Sequence, residues 1–228
     1  MANAVREQSG AEALNKSEAF FLKYKKPIII AVVAIVIIVV GAILYHKYYA
    51  IPHEAEASTA LAKGQEYFAA EQYEEALNGD KAGYSGLLAV ISDYSGTDAA
   101  NLAALYAGLS YANLGKWQEA VEYLEKFSPR DDQMISPAAI AALGDAYAHT
   151  GNTAKAVELF KKAAKTADAK AAEGANNSLS PTFLLKAAEL LESEGKKDEA
   201  LALYEEIKSK YVSSSMRQEI DKYIERAK

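Results

Sequence analysis

Ala107-Gly-Leu-Ser-Tyr111-Ala-Asn-Leu-Gly115-Lys-Trp-Gln-Glu-Ala120 and Leu143-Gly-Asp-Ala-Tyr147-Ala-His-Thr-Gly151-Asn-Thr-Ala-Lys-Ala156 agree position by position, and that agreement decides the fold. A third copy runs Ala187-Ala-Glu-Leu-Leu191-Glu-Ser-Glu-Gly195-Lys-Lys-Asp-Glu-Ala200, and a weaker one precedes them as Lys63-Gly-Gln-Glu-Tyr67-Phe-Ala-Ala-Glu71-Gln-Tyr73-Glu-Glu-Ala76. Self-similarity on this scale marks a stack of supersecondary units, none of which can bury its apolar face alone. Glycine at 115, 151 and 195 suits a helix that ends on a left-handed residue, where a Cβ would clash, and reverses directly into an antiparallel helix.

Within each unit, small residues fall where two helices must cross: Gly64, Gly108, Gly144 and Ala188 on the first, Ala76, Ala120, Ala156 and Ala200 on the second. Tyr67, Tyr111, Tyr147 and Leu191, with Leu124, Phe160 and Tyr204, supply the area to be buried, each worth about 1.5 to 3 kcal/mol when fully covered. The spacing between the alanine landmarks is 44, 36 and 44 residues. Insertions are therefore expected at Asn78 to Asp98, with turn signals Asn78-Gly79 and Ser95-Gly96, and at Ala167 to Pro181, with Asn176-Asn177-Ser178. Met216, Ile220, Tyr223 and Ile224 recur at helical spacing in the tail and predict an amphipathic helix sealing the last unit.

Ahead of the repeats, Ile28 to Leu44 is a run of Ile, Val, Leu, Ala and one Gly without a charge or hydroxyl, extended by Pro27 and Tyr45 to 19 residues. As a helix it covers roughly 26 to 28 Å, close to the ~30 Å hydrocarbon core. Its twelve β-branched residues would favour a strand, but globular strands usually stop after about 5 to 6 residues. In lipid an isolated segment must satisfy its own backbone, which makes it helical. The bulky Tyr45-His46-Lys47-Tyr48-Tyr49 that follows offers no small-x-small cleavage site, so the run is read as a retained anchor. Lys16, Lys23, Lys25 and Lys26 precede it, against Lys47 and Lys63 after it, which predicts a cytoplasmic amino terminus. Phe20, Phe21, Tyr24, Lys25 and Lys26 on one side, and Tyr45, Tyr48 and Tyr49 on the other, are candidate membrane-interface anchors.

The expected architecture is all-α. A cytoplasmic arm (1–26) and a transmembrane helix (27–49) lead into a periplasmic α-solenoid (50–228) of about four helical hairpins (55–98, 99–132, 136–170, 180–212) with a capping helix (213–228). Composition agrees with a folded, binding protein. Hydrophobic residues make up 50% and charged residues 25%, with 31 acids against 25 bases, which excludes a disordered tail or a basic nucleic-acid module. The absence of cysteine excludes disulfides, thiolate metal sites and a cysteine nucleophile. HExxH, GxSxG, Walker A and GxGxxG motifs are all missing, and His46, His53 and His149 stand apart, so no enzymatic activity, cofactor or metal is expected.

The small, aromatic, small, aromatic grammar of Gly108, Tyr111, Ala120 and Leu124, and of Gly144, Tyr147, Ala156 and Phe160, resembles the tetratricopeptide repeat. That resemblance implies a concave groove lined by the first helices. The matching positions are Gln65, Phe68, Leu105, Leu109, Asn113, Asp145, His149, Leu185, Glu189 and Glu192. With no Lys or Arg among them, clamping of acidic tails is disfavoured, and an apolar start passing to an acidic end suits an extended segment of mixed apolar and basic character. The whole layout, from Glu18-Ala-Phe-Phe-Leu-Lys through one span and an aromatic exit at Tyr48-Tyr49 to repeats, resembles the YfgM family of ancillary SecYEG translocon subunits. The resemblance implies an inner-membrane adaptor that meets the translocon, a membrane-anchored periplasmic chaperone and emerging polypeptides. An envelope scaffold for outer-membrane or cell-wall assembly would share the same machinery.

Overall fold

The computed structural model describes residues 2–169, 171 and 173–228, with side chains for Phe20 and, among these, from residue 23 onward. Every regular element among the described residues is helical. Two compact units divide the chain, one up to His53 and one from Glu54 on. In the first, α1 spans Ala2–Tyr45 and is followed by a π-helical turn, His46–Ala50. Its apolar side chains from Ile29 to Leu44 are exposed, Ile30 and Ile38 to about 68% and 70%, so no face of the helix is covered by protein. A helix that is hydrophobic all round and unpacked is suited to lipid. This segment is long and apolar enough to cross a membrane.

In the second unit the helices pair in sequence order: α2 (Ile51–Ala69) with α3 (Tyr73–Asn78) and α4 (Leu87–Asp93), α5 (Asp98–Asn113) with α6 (Trp117–Lys126), α7 (Ile135–His149) with α8 (Thr153–Ala169), and α9 (Ser180–Ser193) with α10 (Lys197–Lys210). A 3-10 turn, Ser215–Gln218, leads to α11 (Ile220–Ala227), which buries Ile220, Ile224 and Ala227 against the end of the stack. The core is three successive clusters of side chains joined by shared residues such as Tyr111, Leu143 and Tyr147, as a chain of nearest-neighbour interfaces requires.

All four hairpins turn in the same way. Gly115, Gly151 and Gly195 have φ of +73°, +83° and +77°. The amide after each donates to the carbonyl five residues back: Lys116 to Tyr111, Asn152 to Tyr147 and Lys196 to Leu191, each at 2.9 Å. The first hairpin makes the same bond from Gln72 to Tyr67 at 2.9 Å, but its left-handed residue is Glu71, φ +58°. An L side chain there costs about 1 to 2 kcal/mol, partly offset by the extra backbone freedom a glycine would lose on folding. Glu71→Gly should therefore stabilise by about 0.5 to 1 kcal/mol, whereas Gly195→Ala should destabilise by about 1 to 2. Urea midpoints of the two variants should move in opposite directions.

At the crossings, a Cβ on Gly108 would lie 2.5 Å from Leu124, and one on Gly144 would lie 3.0 Å from Phe160. Ala76, Ala120, Ala156, Ala188 and Ala200 are fully buried. The tyrosines of the first helices depart from the expectation of full burial: Tyr67, Tyr111 and Tyr147 are half-buried. Tyr67 and Tyr147 turn their hydroxyls outward to donate to Asp80 and Glu125, since a buried hydroxyl without an acceptor is costly.

The two insertions are each eight residues beyond the 36-residue spacing, and they are accommodated differently. The second is absorbed chiefly by lengthening α8 to 17 residues, against 10 in α6. The first breaks the second helix of its hairpin into α3 and α4 and loops out between Gly79 and Gly86, at φ +87° and +94°. Those glycines pass so closely that a Cβ on Gly79 would meet the Tyr84 carbonyl and one on Gly86 that of Leu77.

Candidate functional site

Three first helices line an apolar trough of about 450 Å³. Gln65 and Phe68 come from α2, Leu102, Leu105, Tyr106 and Leu109 from α5, and Met134, Ile135, Ala138, Ala139 and Ala142 from the head of α7 and its inner face. Helical spacing explains the set: 102, 105, 106 and 109 form one stripe of α5, and 135, 138, 139 and 142 one stripe of α7. Phe68 packs edge-on against Tyr106, with ring centroids 5.2 Å apart, and against Tyr73 at 5.5 Å. None of the lining residues carries a charge.

Asp132 shapes the trough's rim. Its Oδ1 accepts from the amides of Met134, Ile135 and Ser136 at 2.9, 2.6 and 3.0 Å, and Ser136 Oγ donates to Oδ2. Burial works against the charge, but these bonds outweigh it and hold the carboxyl below its ordinary range. The cap starts α7 so that Met134 and Ile135 project into solvent, 69% and 48% exposed. Exposed large apolar side chains beside an uncharged concavity are the ordinary signature of a contact surface.

Of the expected groove residues, Gln65, Phe68, Leu105 and Leu109 meet in this trough. Asn113 lies one turn further along α5, exposed, its amide donating to the Leu109 carbonyl at 2.9 Å. Exposed His149 stacks on Trp117 with ring centroids 3.7 Å apart and planes within 3°. Asp145 and Glu189 line a second, smaller hollow of about 220 Å³ with Lys186, whose ammonium lies 2.7 Å from Asp145. Leu185 is half-buried against the α7–α11 core. Glu192 is taken up structurally. It accepts a two-pronged pair from Arg226 at 2.8 and 2.7 Å and a hydrogen bond from Tyr204 at 2.9 Å, strapping α11 to α9. Those bonds, led by that from Arg226, hold the Glu192 carboxyl below its usual range. The acidic end of the inner surface is thus compensated by Lys186 and Arg226. Leu102, Tyr106, Met134, Ile135 and the alanines at 138, 139 and 142 join the trough beyond the expected positions, and Met134-Ile135 stands out in the sequence as an apolar pair after the polar run Arg130 to Gln133. The inserted loop between Gly79 and Gly86 meets α2 at Tyr67, which stacks on Tyr84 with ring centroids 5.6 Å apart, and borders a separate hollow with Thr59 and Lys63; none of its residues lines the trough.

Among the anchors in the first unit, Phe20 and Tyr24 lie with ring centroids 4.8 Å apart, and Tyr45 stacks on Tyr49 at 5.1 Å. Lys47 reaches over the Tyr48 ring at 5.5 Å, and Lys25 and Lys26 are exposed. The side chain of Phe21 lies outside the described residues.

Residues 102–128 and 183–214 match one family model described as a tetratricopeptide repeat, and residues 139–172 match a second of the same description. These three stretches are tetratricopeptide repeats. Two crystal structures of the nearly identical TPR-like repeats of a Podospora anserina protein described as a putative kinesin light chain, one of them a single-substitution variant, are similar in fold. Each shares 20% identity and a TM-score of 0.56, over 77% and 76% of this chain and 86% of the other. No curated protein matches the sequence significantly. Such repeats indicate a protein–protein interaction adaptor or scaffold, on a fold that is typically non-enzymatic. No cluster of three or more His, Asp or Glu among the described residues is placed to hold a metal ion.

Proposed function

We propose that the protein is a single-span inner-membrane adaptor whose repeats face the periplasm and assist emerging envelope proteins as an accessory of the SecYEG translocon, alongside a membrane-anchored periplasmic chaperone. The observation that carries the docking role is the uncharged trough on α2, α5 and α7, open and rimmed by exposed Met134 and Ile135. Support for the placement comes from the apolar helix, from the four lysines before it against two after it, and from the resemblance of the whole layout to the YfgM family. A tether serves such a role because confinement near a membrane exit raises local concentration and makes tight binding unnecessary.

A photo-reactive side chain at Leu109 or Met134, activated in native membranes, tests this. Adducts with translocon subunits, the chaperone or translocating chains are expected. Adducts confined to outer-membrane or cell-wall assembly proteins, or to cytoplasmic ones, would overturn the translocon role.

A further inference from the structure

The acidic groups of the repeat unit are unevenly distributed. Residues 50–150 hold 15 acids and 5 bases, a net charge of −10, whereas residues 151–228 hold 13 acids and 14 bases, net +1. Four of the five bases in the acidic half are already in ion pairs: Lys63 with Glu66, Lys116 with Glu74, Lys126 with Glu122 and Arg130 with Asp98. The trough lies wholly within that half. Glu71 follows Phe68 by three residues and Asp131 precedes Met134 by three, so carboxylates stand close in sequence to both ends of the apolar lining.

We infer that the occupant of the trough is a protein segment of a particular chemistry: a short apolar stretch, flanked on both sides by lysine or arginine. This rests on the docking reading above and names the partner class for it. The uncharged lining rejects a charge at the centre of the segment, because a buried ion without a partner is penalised heavily. The surrounding negative potential draws in basic flanks and turns away acidic ones, which sets both encounter rate and choice of partner. Gln65 sits in the lining and can exchange hydrogen bonds with the backbone of the bound segment. The acidic excess of residues 50–150 remains even with Asp145 paired to Lys186, whereas Glu192 in the second half is paired with Arg226.

Two synthetic peptides test the inference on the full chain in phosphatidylcholine nanodiscs, by fluorescence anisotropy. Both contain the same eight-residue Leu/Phe/Ala core, one with two lysines at each end and the other with two glutamates. The lysine-flanked peptide should bind about 10-fold or more tighter at low salt, and the gap should shrink to about 2-fold near 0.5 M salt as the field is screened. The double substitution Met134→Asn, Ile135→Asn, at exposed positions, should weaken the lysine-flanked peptide about 10-fold without changing the helical circular dichroism. Equal binding of both peptides, with both lost in the double variant, would overturn the basic-flank class while leaving the trough as the docking site. Binding of the lysine-flanked peptide that the double variant leaves unchanged would overturn the trough itself, as would failure of both peptides to bind.

Discussion

Asp168→Ala should destabilise the carboxyl-terminal half of the stack by about 2 to 3 kcal/mol, the upper part of the range for leaving a buried donor without its acceptor. Asp168 is 7% exposed and serves as the acceptor for four groups from three parts of the chain. Ser180 Oγ donates at 2.6 Å and the Asn176 amide at 2.8 Å, while Lys210 Nζ lies at 2.6 Å and Tyr211 donates its hydroxyl at 2.7 Å. Alanine would remove the acceptor shared by all four: Ser180 Oγ keeps the Ala164 carbonyl at 3.0 Å and half-exposed Lys210 can turn to solvent, but the buried Tyr211 hydroxyl has nowhere to go. Asp168→Asn retains one acceptor oxygen and should cost about half as much.

The same cluster predicts a pH dependence. Burial alone would push the Asp168 carboxyl up, but the bonds from Lys210, Ser180, Asn176 and Tyr211 outweigh it and leave the group below its ordinary range. A carboxyl depressed in the folded state stabilises fully above its unfolded value, about 3.9, and that contribution fades as pH falls from there through the folded value. Acid denaturation monitored by hydrogen exchange on α9 to α11 should therefore be shallower in Asp168→Ala than in the parent below about pH 4. Identical acid limbs would show that the carboxylate does not stabilise this half. In the neutral range Tyr211, pushed up to about 12 first by burial and then by Asp168, stays protonated and remains a donor.

Asp168 and the inserted loop show how much of the fold and site was legible in the sequence. The repeated glycines and alanines announced the hairpins because a left-handed turn and a close helix crossing each admit few side chains, and both constraints are local. Asp168 was legible in principle. It continues the stripe Ala156, Phe160, Ala164 at intervals of four, so a carboxylate was due to point into the core of α8. Its partners, however, come from the loop at Asn176, from Ser180 at the start of α9, and from Lys210 and Tyr211 at the end of α10 more than forty residues away, and no local pattern names them. The groove was partly legible for the same reason. Phe68, Leu105 and Leu109 follow from helical register, but Met134 and Ile135 reach the trough only because Asp132 starts α7 where it does. Asp145 and Glu192 read as a free acidic surface in sequence, whereas tertiary contacts supply each with a cation.

Tyr84→Ala should destabilise the first repeat by about 3 to 5 kcal/mol, as much as removing a core aromatic, although Tyr84 lies within an insertion. In the other units the residue four after the alanine landmark fills the crossing: Leu124 against Gly108 and Phe160 against Gly144. After Ala76 that position is Asp80, which cannot be buried there uncompensated. Instead the chain leaves the helix, and the Asp80 carboxylate ties the loop by accepting from the Ala82 and Tyr84 amides at 2.7 and 3.0 Å. Tyr84 then returns to the vacated crossing with Leu87, both against Gly64. The break in the helix also frees the Ala76 carbonyl, because the Asp80 amide that would have bonded it donates to the Tyr84 carbonyl at 2.8 Å. The Tyr84 hydroxyl donates to the Ala76 carbonyl at 3.1 Å and so satisfies both groups. Tyr84→Phe should consequently cost only about 1 kcal/mol, the net worth of one hydrogen bond, and the remaining loss in Tyr84→Ala measures the ring. Urea titrations read through hydrogen exchange on α2 to α4 separate the two. A loss below about 1 kcal/mol for Tyr84→Ala would mean that the insertion is a passive surface loop and that Leu87 alone closes the crossing.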